Sequence, residues 1–178
     1  MGWSTSKVFT VVRIVAVAAV VSGLIAGTSA RPMAQAGPAS HAKNVEGVWL
    51  VQVTQRNCET NAALGSFTSL VTFDGDGIVI ESPGSVAFAP GQRSPGHGTW
   101  TRDGQHTVIQ RMVALILFDT PPNPPVSPGF RKGWQMITHT VDITGPDTLT
   151  SAGTARFFDS NGELYRSGCS TAVGERFE

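Results

Sequence analysis

The sequence lacks the short motifs by which many enzymes are recognised. It contains no G-x-S-x-G, no H-E-x-x-H and no glycine-rich phosphate-binding pattern, which are typical of hydrolases, metalloproteases and nucleotide-binding proteins. Its 4 histidines show no metal-ligand spacing, and 2 cysteines alone are too few for a structural zinc site. We therefore predict no catalytic residues, no metal site and no cofactor.

Long apolar runs are also scarce, and the one that occurs lies near the N-terminus. Residues 14–27 carry no charge, follow Lys7 and Arg13, and precede A-x-A-like sequences that end at Ala30 and Ala36. This is the pattern of an export signal, since the apolar run is shorter than the ~20 residues that span a bilayer. Cleavage at the earlier site and an uncleaved anchor are the alternatives. We predict three segments: a signal peptide over 1–36, a flexible linker over 37–45 and one folded domain over 46–178.

Positive charge is in short supply in the expected exported domain. The whole chain has 13 basic and 13 acidic residues, but Lys7, Arg13 and Arg31 belong to the predicted signal, which leaves 10 basic residues and a net charge of −3. No basic run remains, so nucleic acids and anionic membranes are poor candidate partners. No later segment is long and apolar enough to enter a membrane after signal removal. The oligomeric state stays open.

The two cysteines fit this export prediction. Both Cys58 and Cys169 lie in the expected folded domain, and exported chains with two cysteines usually pair them. We predict a secreted or periplasmic protein with one disulfide.

Alternation of apolar and polar residues dominates the folded part, which indicates strands rather than helices. We predict eight strands at about residues 46–56, 66–74, 77–82, 97–102, 106–118, 133–144, 147–158 and 162–177. Tight Asp-Gly or Gly-Pro turns follow strands two, four and six, whereas long connections at 57–65, 82–96 and 119–129 follow strands one, three and five. If neighbouring strands pair antiparallel, all the long connections lie at one end. The pattern predicts an all-β, eight-stranded antiparallel up-and-down β-barrel with a loop-rich ligand-holding end; a β-sandwich is the alternative.

Two residue pairs indicate how such a barrel closes. Partners on antiparallel strands have residue numbers with a constant sum, and the sums are 225 for Trp49 with Arg176 and 227 for Cys58 with Cys169. Both pairs therefore fit one pairing of the first strand with the last. Their parity puts them on opposite faces of the sheet. We expect Trp49 and Arg176 to point inward near the tight turns, and the disulfide to lie outside or at the rim of the other end.

Gly47-Val48-Trp49, with Arg176 late in the last strand, resembles the lipocalin and wider calycin families. Those families begin their first strand with Gly-x-Trp and stack an arginine over that tryptophan. The resemblance covers about residues 46–177, although the chain lacks a clear T-D-Y motif and a helix between the last two strands. It implies a barrel that binds a small apolar molecule. Related barrels such as the allene oxide cyclase group include an isomerase.

The inward faces of the middle strands supply the candidate ligand-binding residues. Strand five has Gln110 and Met112 on its predicted inner face, and strand six has Gln135 and His139. Sparse polar groups among apolar ones are the usual lining of a small-molecule site. The alternative for His139 is an ordinary hydrogen-bonded core histidine, and both glutamines face solvent if the assigned face is wrong.

Three functions remain open at this point. The first is binding of a small apolar ligand, and the second is a barrel isomerase or cyclase that uses His139 with a nearby carboxylate. The third is a structural module of the cell envelope with a solid interior. A cavity separates the third function from the others, and a carboxylate beside His139 favours the second.

Overall fold

The computed structural model describes residues 44–177. The predicted signal peptide and most of the predicted linker lie outside this range, so both stay predictions. Val45, assigned to the end of the linker, is fully buried in the core. The described residues contain no helix with the length and hydropathy needed to cross a membrane.

Eight antiparallel strands in chain order form a closed barrel, and this confirms the predicted fold class. The strands are β1 (Gly47–Arg56), β2 (Ala63–Phe73), β3 (Ile78–Pro83), β4 (Gly96–Arg102), β5 (Thr107–Ile116), β6 (Gly133–Ile143), β7 (Thr148–Asp159) and β8 (Leu164–Arg176). The connections 74–77, 103–106 and 144–147 lie at what we call the closed end. The connections 57–62, 84–95, 117–132 and 160–163 lie at the opposite, open end.

Pairing of β1 with β8 closes the barrel in the expected register. Trp49 faces Arg176 and Arg56 faces Cys169, so the residue numbers of the partners sum to 225 along the ladder. The predicted disulfide is present: Cys58 and Cys169 are bonded, with 5.1 Å between their Cα atoms. It ties the 57–62 connection to β8 at the open end.

Strict alternation decides which side chains enter the barrel. On β5, Gln110 and Met112 are buried whereas Arg111 and Val113 are exposed. β6 alternates in the same way, with Gln135, His139 and Val141 buried. Successive side chains of a strand point to opposite faces, so one correctly assigned residue sets the whole strand.

Aromatic and aliphatic side chains fill the closed end. Trp49 is fully buried and its indole N–H donates to the carbonyl oxygen of Val45 at 2.7 Å. The guanidinium of Arg176 lies 4.3 Å from the centre of the Trp49 ring, as the lipocalin resemblance implies. Arg176 also donates to the carbonyl oxygens of Asn44 and Pro146. This packing gives the cavity described below a solid floor.

Candidate functional site

The barrel contains a cavity of about 310 Å³ above this floor, which is at the lower end of the range for ligand sites. Its wall is formed mainly by apolar side chains that point inward from the strands. Among them are Val51, Val53, Val71, Met112, Ile137, Ala155, Phe157 and Ala172.

All four residues predicted to bind a ligand line this cavity: Gln110, Met112, Gln135 and His139. β5 and β6 bring them together, since Gln110 is the cross-strand partner of His139 and Met112 that of Ile137. Their position is therefore as the alternation indicated. Their role in binding stays a prediction.

His139 is held by two serines at mid-depth. Its Nδ1 lies 3.0 Å from the hydroxyl oxygen of Ser151, and its Nε2 lies 2.8 Å from that of Ser170. Gly153 lies against β6, because a Cβ there would clash first with the backbone carbonyl oxygen of Thr138 and then with the ring of His139. The glycine thus lets both the backbone of β6 and the imidazole of His139 lie close to β7.

Burial keeps the His139 ring uncharged. Desolvation lowers its pKa from 6.5 to about 4, because the charged form loses its hydration in the barrel interior. A neutral imidazole has one N–H donor and one nitrogen acceptor, and two hydroxyl groups satisfy both. Within the described residues neither ring nitrogen hydrogen-bonds to a carboxylate, so the contact that favours an isomerase or cyclase is not found.

A buried ionic network forms a second polar group in the cavity wall. The Nη2 of Arg93 donates to the Oε2 of Glu81 at 2.6 Å, and its Nε donates to the Oε1 of Gln135 at 2.6 Å. The hydroxyl of Ser69 lies 3.3 Å from the Oε1 of Glu81. The side chain of Arg93 is only 3 % exposed. Since each charge has an opposite partner, the network adds no net charge to the cavity.

Sequence reasoning missed Glu81 and Arg93. One signal was available: Glu81 shares the inward parity of the buried Val79 on β3, and an inward carboxylate requires a partner. Nothing in the sequence identified that partner as Arg93, which belongs to the irregular 84–95 connection.

The 84–95 connection folds inward and covers part of the cavity. The ring of Phe88 stacks on that of Phe130 with 4.2 Å between centres, and Phe130 packs on Phe157. Gln92 is fully buried and joins two connections, because its amide donates to the carbonyl oxygen of Phe118 and to the hydroxyl of Thr120. These contacts fix the 84–95 connection over the cavity.

The exposed lining residues show where the cavity meets solvent. They are Gln55, Leu64, Pro128 and Ser167. The mouth therefore lies between the end of β1, the start of β2, the start of β8 and the 117–132 connection. Arg166 borders it and donates to the carbonyl oxygens of Gly129 and Pro128 at 2.7 and 3.2 Å.

No group of three His, Cys, Asp or Glu side chains in the part of the chain that the structure describes is arranged to hold a metal ion.

Comparison with known proteins adds no family to this description. No protein-family model matches the chain, and no curated protein matches it. Among solved structures it is similar to a protein of unknown function from the DUF3598 family of Nostoc punctiforme, with 12% sequence identity and a TM-score of 0.37. The similarity covers 80% of this chain and 53% of that protein, so the chain spans about half its length. A likeness at this level assigns neither family nor function.

Proposed function

We propose that this protein is an exported, lipocalin-like barrel that binds a small apolar molecule in its cavity. The observation that carries the proposal is the cavity itself: apolar walls, a few polar groups at defined positions, and a mouth at the end where the long connections meet. Export remains inferred from the N-terminal sequence, and the disulfide is consistent with an oxidising compartment.

The structure favours this function over the two alternatives. A structural module with a solid interior does not account for a cavity of about 310 Å³. The enzyme alternative uses His139 with a nearby carboxylate, but among the described residues the nitrogens of His139 hydrogen-bond to the hydroxyls of Ser151 and Ser170 and to no carboxylate.

Gly168 offers a clean way to block the cavity. It lines the cavity, its φ is not in the left-handed region, and no heavy atom lies within 4 Å of the Cβ that a substitution would add. A Trp side chain at this position therefore enters open space rather than the packed core. Val173, on the same strand, is 59 % exposed and provides the matched control.

We expect a neutral, polarity-sensitive fluorescent probe to bind the folded protein saturably, at about one per chain as for a single pocket. Gly168→Trp should abolish this binding, whereas Val173→Trp should leave it unchanged. Circular dichroism and melting temperature verify that both variants fold. Equal probe binding by both variants places the probe outside the barrel, and no saturable binding by the wild type rejects the proposed function.

A further inference from the structure

One buried polar side chain in the cavity, that of Gln110, has no hydrogen-bond partner among residues 44–177. Gln110 is only 5 % exposed and lines the cavity. Every side-chain nitrogen or oxygen fully cut off from accessible space has a hydrogen-bond partner among the described residues. The neighbouring His139 and Gln135 have theirs, but the amide of Gln110 hydrogen-bonds to no described residue. Its polar atoms therefore face the cavity space.

The surroundings of Gln110 are polar but uncharged. His139 is its cross-strand partner, and burial lowers the pKa of that imidazole to about 4, so the ring is neutral at physiological pH. Ser151 and Ser170 complete this layer and carry no charge. The charges of Glu81 and Arg93 compensate each other at 2.6 Å. Two further lining arginines, Arg56 and Arg166, belong to the open ends of β1 and β8. A carboxylate placed beside Gln110 itself would lose its hydration without a counter-charge in this layer.

We infer that the cavity selects uncharged ligands with an apolar body and one hydrogen-bonding oxygen, and that the Gln110 amide binds this oxygen. This inference rests on the proposed function and narrows it to a ligand class: alcohols, phenols and ketones rather than hydrocarbons or carboxylates. An amide presents both donor and acceptor, so it can pair with a hydroxyl or a carbonyl.

Hydrogen bonding to Gln110 explains why a ligand with an oxygen should bind more tightly than a hydrocarbon of the same shape. A pure hydrocarbon beside Gln110 displaces water from the amide and leaves it unpaired, which is unfavourable. An oxygen on the ligand restores the hydrogen bond. Since a neutral hydrogen bond contributes about 1 kcal/mol net, the expected preference is roughly 3- to 10-fold in Kd.

Three ligands of one shape test the inference: naphthalene, 2-naphthol and 2-naphthoate, measured by calorimetry at pH 7.5. We expect the wild type to bind 2-naphthol roughly 3- to 10-fold more tightly than naphthalene, and 2-naphthoate most weakly. Gln110→Leu should reverse the first preference, because the hydroxyl then loses its partner while the apolar contact remains. Met112→Leu, two positions along the same strand, should change the affinities for naphthalene and 2-naphthol by the same factor.

Other outcomes overturn the inference in distinguishable ways. If naphthalene binds saturably but Gln110→Leu changes its Kd and that of 2-naphthol by the same factor, Gln110 does not hydrogen-bond to the ligand oxygen. In that case the proposed function stands and this inference fails. If 2-naphthoate binds most tightly in both proteins, the charged group is held at the mouth, where Arg166 lies, and the ligand class is anionic. If none of the three binds, the proposed function fails as well. If Gln110→Leu does not fold, Gln110→Met replaces it in the same comparison. The wild type alone also tests the inference, because tighter binding of naphthalene than of 2-naphthol contradicts it.

Discussion

Acid should destabilise the barrel through His139 to an extent that can be calculated. Its pKa is lowered from 6.5 to about 4 in the folded protein by desolvation. Between these values the unfolded chain binds a proton that the folded chain does not, so stability falls as the pH is lowered through this window. A shift of about 2.5 units at 1.36 kcal/mol per unit gives about 3 kcal/mol in total. About 2 kcal/mol of this is lost between pH 7 and pH 5.

The measurement is the free energy of unfolding in urea at pH 7 and pH 5, with the disulfide intact. Carboxylates also contribute to acid sensitivity, so the informative quantity is the pH-dependent difference between the wild type and His139→Gln. The variant should lose about 2 kcal/mol less than the wild type over this interval. His97→Gln, at an exposed position of β4, serves as the control for the loss of an imidazole outside the cavity.

One outcome of this measurement would contradict the neutral state of His139. If His139→Gln and the wild type lose the same free energy on acidification, the imidazole is not held neutral by burial. The description of the layer around Gln110 as uncharged would then be wrong, and the argument against carboxylate ligands would fail with it.

Three further predictions concern the frame of the barrel. The Cys58–Cys169 disulfide spans 111 residues, so reduction should cost about 4–5 kcal/mol by the chain-entropy model and lower the melting temperature; an unchanged melting temperature contradicts this. Trp49→Ala should cost roughly 3–5 kcal/mol and Arg176→Ala less, and a double-mutant cycle that gives additive costs would contradict a stabilising cation–π contact. Gln92→Leu should leave partly buried partners unpaired, at a cost for each below the roughly 1–3 kcal/mol of a fully buried group; we expect faster amide exchange confined to residues 84–95 and 117–130.

Strand positions and the closure of the barrel followed from the sequence for a geometric reason. Side-chain direction in a strand has a period of two, so the inward positions of Gln110 on β5 and His139 on β6 could be derived from neighbouring apolar residues. The register of β1 with β8 was derivable because two distant pairs, Trp49 with Arg176 and Cys58 with Cys169, had nearly equal residue-number sums.

The polar contacts of the cavity could be predicted only in part, because several of them come from segments outside the strands. Arg93 reaches Glu81 and Gln135 from the 84–95 connection, and such a segment has no periodicity from which a side-chain direction can be read. Gln92 joins two connections for the same reason. The inward direction of Ser151 and Ser170 was derivable, since they share the parity of the buried Leu149 on β7 and Ala172 on β8. Their hydrogen bonds to His139 were not, because strand parity does not give side-chain pairing across three strands.

Native mass spectrometry tests most directly whether this barrel holds a small molecule. The wild type, Gly168→Trp and Val173→Trp are each incubated with an organic extract of the source cells and their surrounding medium, and then transferred gently into the gas phase. We expect one small molecule per chain on the wild type and on Val173→Trp, and none on Gly168→Trp. The same adducts on all three proteins, or none on the wild type, would contradict a ligand-binding cavity.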